Sequence, residues 1–411
     1  MPAATYVFNE RNDLPVNANN TSFTDVPGST ISGLTAGKTY WIHITARFGT
    51  ASGLMTLRAL HGSTVFDESL QDFQPGVADV WGTYKWFTQW TAVGGEDIKL
   101  QYNNAGGITS KVDFLGALVL KLSDDFVDGT DYKFNEVGTD SSLSTTPLNG
   151  ATITITPATA GDNWLVFSYA QILQTNQTNY GQSRLLRSGE ASSSTPGSSI
   201  LNCANVSLNQ AHCLCRAFNL GAASNTFTEQ SSQDANTTYT RKHSAVFALR
   251  LNRFKWSAVA YVDGAINIAA QPPNYGTQIG TMDITPAQNT TMIMGGSFIN
   301  DAAHYGPRFI WRTQSYVVGQ SEADQPPGQT TGLYAYKENA SGNNYDVPEM
   351  WLTAMAMTGG STYRTDIDIS TNLTTNTPQA KQRNLWAFSV ELEGGAAPPD
   401  TFSKVIIRAA P

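Results

Sequence analysis

The chain has 411 residues, a formal net charge of −8 and only 14% charged side chains, well under the roughly 25% of an average soluble protein. Hydrophobic residues at 40% and aromatics at 10% supply packed cores, which excludes a disordered chain. The 25 Lys and Arg are scattered along the chain against 33 Asp and Glu, so no basic face is on offer to a nucleic acid.

Ser, Thr, Asn, Gln and Gly replace the missing charge, and they favour turns and strands over helices. At about 100–200 residues per domain, the length implies two to four domains. Met1-Pro2-Ala3-Ala4-Thr5 runs straight into strand-like Tyr6-Val7-Phe8, with no apolar leader segment. Synthesis in a cytoplasm, or removal of a leader, is therefore expected. No run approaches about 18 apolar residues, so no membrane span is expected.

In chain order, Tyr6-Val7-Phe8-Asn9-Glu10 is a first strand. The turn Thr35-Ala36-Gly37-Lys38-Thr39 then launches a second. There Tyr40, Ile42, Ile44, Ala46 and Phe48 alternate with Trp41, His43, Thr45 and Arg47, which predicts a half-buried strand with His43 on its polar, solvated face. Gly37-Lys38-Thr39 ends like a phosphate-binding loop, but Ser32 stands where the first glycine belongs, and a strand follows instead of a helix, so nucleotide binding is rejected. Met55-Thr56-Leu57-Arg58-Ala59-Leu60 is the next strand. Trp81, Tyr84, Trp86, Phe87 and Trp90 then crowd one segment. Aromatics on a sandwich can stack sugar rings, but core and seam packing is the commoner use. Gly94-Gly95 and Asn103-Asn104-Ala105-Gly106-Gly107 read as turns, and Gly116-Ala117-Leu118-Val119-Leu120-Lys121-Leu122 as a closing strand.

The pattern then recurs. Tyr132-Lys133-Phe134-Asn135-Glu136 repeats the first strand, and Thr159-Ala160-Gly161-Asp162-Asn163-Trp164-Leu165-Val166 repeats the turn and strand. Tyr180 to Arg187 is an Arg-bearing strand after a Tyr-Gly pair, and Ala245 to Leu251 closes. Cys203, Cys213 and Cys215 make an odd number, which is no disulfide framework. On a strand Cys213 and Cys215 share one face, and buried reduced thiols are expected. In a third copy, Pro286 to Ile293, Tyr305 to Arg312 and Trp386 to Leu392 match the same anchors, while the first strand has no convincing counterpart. The closing strands place Leu118, Leu120, Leu122; Phe247, Leu249, Leu251; and Phe388, Val390, Leu392 on one face, with Lys121, Arg250 and Glu391 opposite, toward water. The anchors keep their order at a period of roughly 125–140 residues, the signature of internal repeats.

Short strands between Gly, Asn, Ser and Pro clusters, with no helical periodicity, define an all-β chain. The expected architecture is three tandem β-sandwich, jelly-roll-like modules at residues 1–124, 125–253 and 254–393, followed by 394–411. That last part combines a Gly/Pro linker from Gly394 with a candidate strand at Phe402–Arg408, suited to pairing with a sheet edge.

No chemistry-bearing motif is complete. His43, His61, His212, His243 and His304 stand at no zinc spacing, and no Gly-x-Ser-x-Gly elbow occurs. Acidic residues suffice for a glycosidase pair in space, without a local signature. Asn-x-Ser/Thr at Asn20, Asn176, Asn205, Asn236, Asn289, Asn339 and Asn372 is expected by chance in such a composition. No catalytic, cofactor-binding or metal residue is assigned, no cofactor is expected, and the interface residues are unknown.

Together, Ala-Gly-Lys-Thr-Tyr-Trp-Ile-His-Ile from Ala36, the Arg-bearing and aromatic strands, Gly-Gly-Glu-Asp-Ile-Lys-Leu-Gln from Gly94 and the closing Ala-Leu-Val-Leu-Lys-Leu from Ala117 resemble the jelly-roll modules of tailed-bacteriophage virion proteins. They are distantly similar to the trimeric jelly rolls of the C1q and tumour-necrosis-factor kind. The resemblance implies a non-enzymatic virion structural protein, first a capsid decoration or cement protein stabilising the particle. The alternative is a tail fibre or a carbohydrate- or receptor-binding array. The implied partners are the major capsid protein or other virion proteins, with a trimer or a one-chain pseudo-trimer as the assembly, and no nucleic acid or membrane. The implied location is the virion surface, after synthesis in the host cytoplasm.

Overall fold

The computed structural model describes residues 6–11, 21–50, 53–73, 80–104, 110–175, 180–190, 197–201, 208–234, 239–262, 264–268, 277–302, 308–319, 330–336, 345–371 and 379–393. Cys203, His304 and the expected C-terminal strand lie outside the described residues.

Among the described residues, 27 strands build three units. The first holds β1 (Tyr6–Arg11), β2 (Thr24–Asp25), β3 (Thr39–Thr50), β4 (Met55–His61), β5 (Thr64–Val65), β6 (Gln71–Phe73), β7 (Val80–Thr91), β8 (Ile98–Asn104) and β9 (Ser110–Lys121). The second holds β10 (Tyr132–Val137), β11 (Ser141–Ser142), β12 (Leu148–Ile155), β13 (Asp162–Gln174), β14 (Tyr180–Arg187), β15 (Gly197–Leu201), β16 (Leu208–Leu220), β17 (Asn225–Gln233) and β18 (Thr240–Arg250). The third holds β19 (Ser257–Val262), β20 (Ile266–Asn267), β21 (Thr277–Ile284), β22 (Thr290–Ala302), β23 (Arg308–Val317), β24 (Thr330–Tyr336), β25 (Tyr345–Met357), β26 (Tyr363–Thr371) and β27 (Gln379–Ser389).

Each unit is a sandwich of two antiparallel sheets in one repeated order. The inner sheets run β1-β9-β3-β7, β10-β18-β13-β16 and β19-β27-β22-β25, and the outer sheets run β2-β8-β4-β5, β12-β17-β14-β15 and β21-β26-β23-β24. The ordered anchors of the sequence land on equivalent strands. The turn-and-strand anchor opens β3, β13 and β22, the Arg-bearing anchor lies on β4, β14 and β23, and the closing anchor lies on β9, β18 and β27. The missing first strand of the third copy is β19, which pairs Ser257 with Phe388 on β27, as β1 pairs with β9 and β10 with β18.

The two kinds of sheet differ because their surroundings differ. Outer strand β8 alternates buried and partly exposed along its whole length, the period of two expected of a sheet with one wet face. Inner strand β13 is buried at 11 of its 13 positions, because both its faces are covered. One face meets the unit's own outer sheet, and the other meets the neighbouring units. A single apolar cluster therefore holds Trp41, Leu118 and Leu120 from the first unit together with Phe167 and Phe247 from the second and Leu352, Trp386 and Phe388 from the third. At about 1.5–3 kcal/mol for each large apolar side chain fully buried, this junction is a main source of stability.

Two sequence expectations are corrected by it. The face of β3 bearing Trp41, His43 and Thr45 is not solvated; all three residues are buried. The large residues of the closing strands point into the junction, since Leu120 and Phe247 sit across from Trp41 and Phe167. The opposite face of these strands meets the unit's own core, where Val246 and Ala248 pack, and only its end residues Lys121 and Arg250 stay partly exposed. Glu391 is buried and accepts a hydrogen bond from Thr290 Oγ1. Arg250 lies 2.9 Å from Asp162 and 3.5 Å from Asp131, and Lys121 lies 3.6 Å from Asp124.

Candidate functional site

Among the described residues several regions gather side chains from more than one unit, and two of them bear on function. The first is the junction itself. Trp41 stacks on Phe247 at 4.7 Å and tilts against Phe167 at 5.3 Å, and Phe167 meets Trp386 edge-on at 6.1 Å. Polar contacts fix each seam in register. Between the first and second units, Tyr169 donates from its hydroxyl to Glu68 O at 2.6 Å, and Asn209 donates twice to Asp72. Between the second and third, Asn384 Nδ2 donates to Cys215 O at 2.8 Å. Between the third and first, Thr83 Oγ1 donates to Glu349 at 2.6 Å and Lys85 Nζ donates to Pro348 O. The buried Lys85 is pulled below its ordinary value by burial, while the Glu349 charge works the other way.

The residues singled out in the sequence sort between these surfaces. On β7, Trp86 lies 5.0 Å from Phe66 in the unit's own core, whereas Phe87 lies 5.9 Å from Phe167 and 6.1 Å from Tyr169 across the seam. Core and seam packing is thus the use made of most of this aromatic segment. Cys213 and Cys215 are free, buried thiols on one face of β16; burial pushes Cys213 up to about 12. Gly37 has φ +74, which lets the chain turn into β3, and Lys38 lies 2.7 Å from Asp124. Among the described residues no group of His, Cys, Asp and Glu is placed to hold a metal ion, and no helix is long and apolar enough to cross a membrane.

The second region is an open cleft of about 620 Å³ between the first and second units. One wall is the 3-10 turn Asp67–Ser69 with the end of β7, contributing Asp67, Glu68, Thr88, Gln89 and Trp90. The facing wall comes from β10, the turn after it and β18, contributing Glu136, Gly138, Asp140, Lys242 and His243. Gln171 closes the floor, tied to Leu70 O at 2.7 Å. Burial pushes Glu68 up to about 7, helped by the charges of Glu136 and Asp67, and burial also raises Glu136. His243 is pushed down to about 4 by burial and by the Arg241 charge. Its 3.6 Å contact with Glu136 therefore involves a neutral imidazole at pH 7. Trp90 is half-buried, with His61 at 5.0 Å and Phe66 edge-on at 6.0 Å fixing its ring. Glu68, Glu136 and His243 carry no local sequence signal, because they come from separate elements of two units.

No family model and no curated protein matches the chain. Several solved structures do. The infectious bursal disease virus VP2 subviral particle matches at 10% identity over 88% of this chain and 74% of that one, with a TM-score of 0.24. A triple jelly roll from the turret assembly of an archaeal virus matches at 10% identity over 94% of this chain and 90% of that one, with a TM-score of 0.20. The C-terminal domain of EclA, a sugar-binding protein, matches at 14% identity over 28% of this chain and 79% of that one, with a TM-score of 0.19. Superpositions this loose add nothing to the sheet order, which stands on the strand pairing.

Proposed function

We propose that this chain is a non-enzymatic structural protein of a virus particle, a decoration or cement protein on the capsid surface of a tailed bacteriophage. The observation that supports this reading is the shared junction: three jelly rolls in one chain bury their inner sheets against each other around one apolar cluster. Such a chain is a rigid one-piece pseudo-trimer, a shape suited to seating where three capsid subunits meet. Its proposed partners are the major capsid protein or other virion proteins. A component that binds only the assembled shell stabilises it by mass action.

The test is made on native particles. The polypeptide is expected to copurify with them, and particles stripped of it are expected to release DNA at a lower temperature than intact ones. Equal heat resistance with and without it overturns the cement role. A tail-fibre or receptor-binding array is the second reading, and the cleft between the first two units is the observation that favours it.

A further inference from the structure

We propose that the cleft between the first and second units is a binding site for a short, uncharged oligosaccharide. Its volume of about 620 Å³ falls in the range of small-molecule sites, roughly 300–1,000 Å³. Sugar rings present one apolar face and a rim of hydroxyls, so a site for them needs a fixed aromatic surface beside groups that both donate and accept. Trp90 supplies the surface, held in orientation by His61 and Phe66. The opposing walls supply the rim. Glu68 beside Thr88, and Glu136 beside His243, put hydrogen-bonding groups on both sides of the opening. Gln89 Oε1 is buried, has no partner among the described residues, and belongs to the same wall as Trp90. A carboxyl such as Glu68, pushed up to about 7, is a donor as well as an acceptor near neutral pH.

Charge decides the class of sugar. Asp67, Glu68, Glu136 and Asp140 face one lysine, Lys242, which is itself hydrogen-bonded to Asp140, and a histidine held neutral. Such a lining repels sialylated, sulfated and phosphorylated sugars and accepts hydroxyl-rich neutral ones. Gln171 and Asn209 already bond to the backbone and side chain of the first unit, so they shape the cleft and leave recognition to the walls. The site exists only where two units meet, so it is a product of the fused architecture and not of one jelly roll.

The experiment titrates the purified full-length chain with maltohexaose, cellohexaose, chitohexaose and laminarihexaose by calorimetry and ligand-observed NMR, with sialyllactose as the charged control. At least one neutral oligosaccharide is expected to bind with a Kd on the order of 1 mM or tighter, and sialyllactose is expected not to bind. Trp90→Ala is expected to weaken binding by about tenfold or more, the loss of an aromatic stacking contact. Gly138→Trp tests the facing wall independently. The added side chain has room at its base, since the nearest atom to a Cβ there is His243 Nδ1 at 3.8 Å, and it is expected to fill the cleft and abolish binding. If Trp90→Ala does not fold, Gly138→Trp decides. The proposal is overturned if none of the four neutral sugars binds, if sialyllactose binds as well as they do, or if binding survives both substitutions. These outcomes are read on the isolated chain, so they are independent of whether it sits on a capsid.

Discussion

At the residue scale, His43 is an imidazole buried against Trp41 and Phe167, and neither of its ring nitrogens has a hydrogen-bond partner among the described residues. Burial pushes it down to about 3. Between its ordinary value near 6.5 and about 3, the folded chain therefore holds fewer protons than the unfolded one. Stability that is fully present above pH 6.5 is lost as the pH falls through this window. His243, pushed down to about 4, acts in the same direction. Glu68, pushed up to about 7, acts in the opposite one and adds stability as the pH falls. The repeat supplies the variant that isolates His43. Its cross-strand partner Leu118 corresponds to Phe247, whose partner is Phe167, so phenylalanine already fills the equivalent place in the second unit. In urea unfolding between pH 7 and 4, wild type is expected to lose about 3 kcal/mol more than His43→Phe. Parallel pH profiles would show that His43 is free to take up a proton in the folded chain. Nothing in the local sequence marked this histidine as buried, because alternation with Tyr40, Ile42 and Ile44 is also what a solvated face looks like.

At the scale of strands, the legible part was the part with one wet face. On β12 buried and exposed positions alternate from Ala151 to Ile155, as a strand with one wet face should. The inner strands misled, because a second apolar surface from another unit covers what the pattern assigns to water. The third copy also misled by one position. Aligning Ile42 with Ile293 equates a residue facing its own outer sheet with one facing the junction. Ile293 pairs with Phe388 and clusters with the other two units, whereas Met292 and Met294 belong to the third unit's own core. A shift of one residue on a strand exchanges its faces, and no apolar pattern reveals the shift where both faces are buried. Close strand packing across the seam does leave a mark, at Gly116. A Cβ built there would stand 2.3 Å from Leu352 O on β25, so the two inner sheets touch backbone to backbone. Gly116→Val is expected to cost roughly 1–3 kcal/mol or more in denaturant unfolding, as overpacking does. Gly94→Ala, with open space around it, is expected to stay within about 0.5 kcal/mol of wild type. Equal effects at the two glycines would mean that the seam between the first and third units gives way easily.

At the scale of the whole molecule, the junction decides how the chain behaves in solution. A lone jelly roll with so apolar an inner face would have to cover it against other chains. Here that face is already covered three times over, by seams running from the first unit to the second, the second to the third and the third back to the first. Among the described residues only four large apolar side chains are exposed, Val93, Val127, Leu148 and Val318, each on a different segment. Single exposed apolar residues are ordinary on monomer surfaces, and a net charge of −8 keeps copies apart. The free chain is therefore expected to be monomeric. Because every unit lends one face of its inner sheet to the others, it is also expected to unfold in one cooperative transition and not in three. Light scattering measures the first expectation and scanning calorimetry the second. A particle of three chains would place a true threefold contact on the outer surface of the block and sink the pseudo-trimer reading. Three separate heat-absorption peaks would show that the units keep their own stability, and that the aromatic junction of Trp41, Phe167 and Trp386 joins them without holding them up.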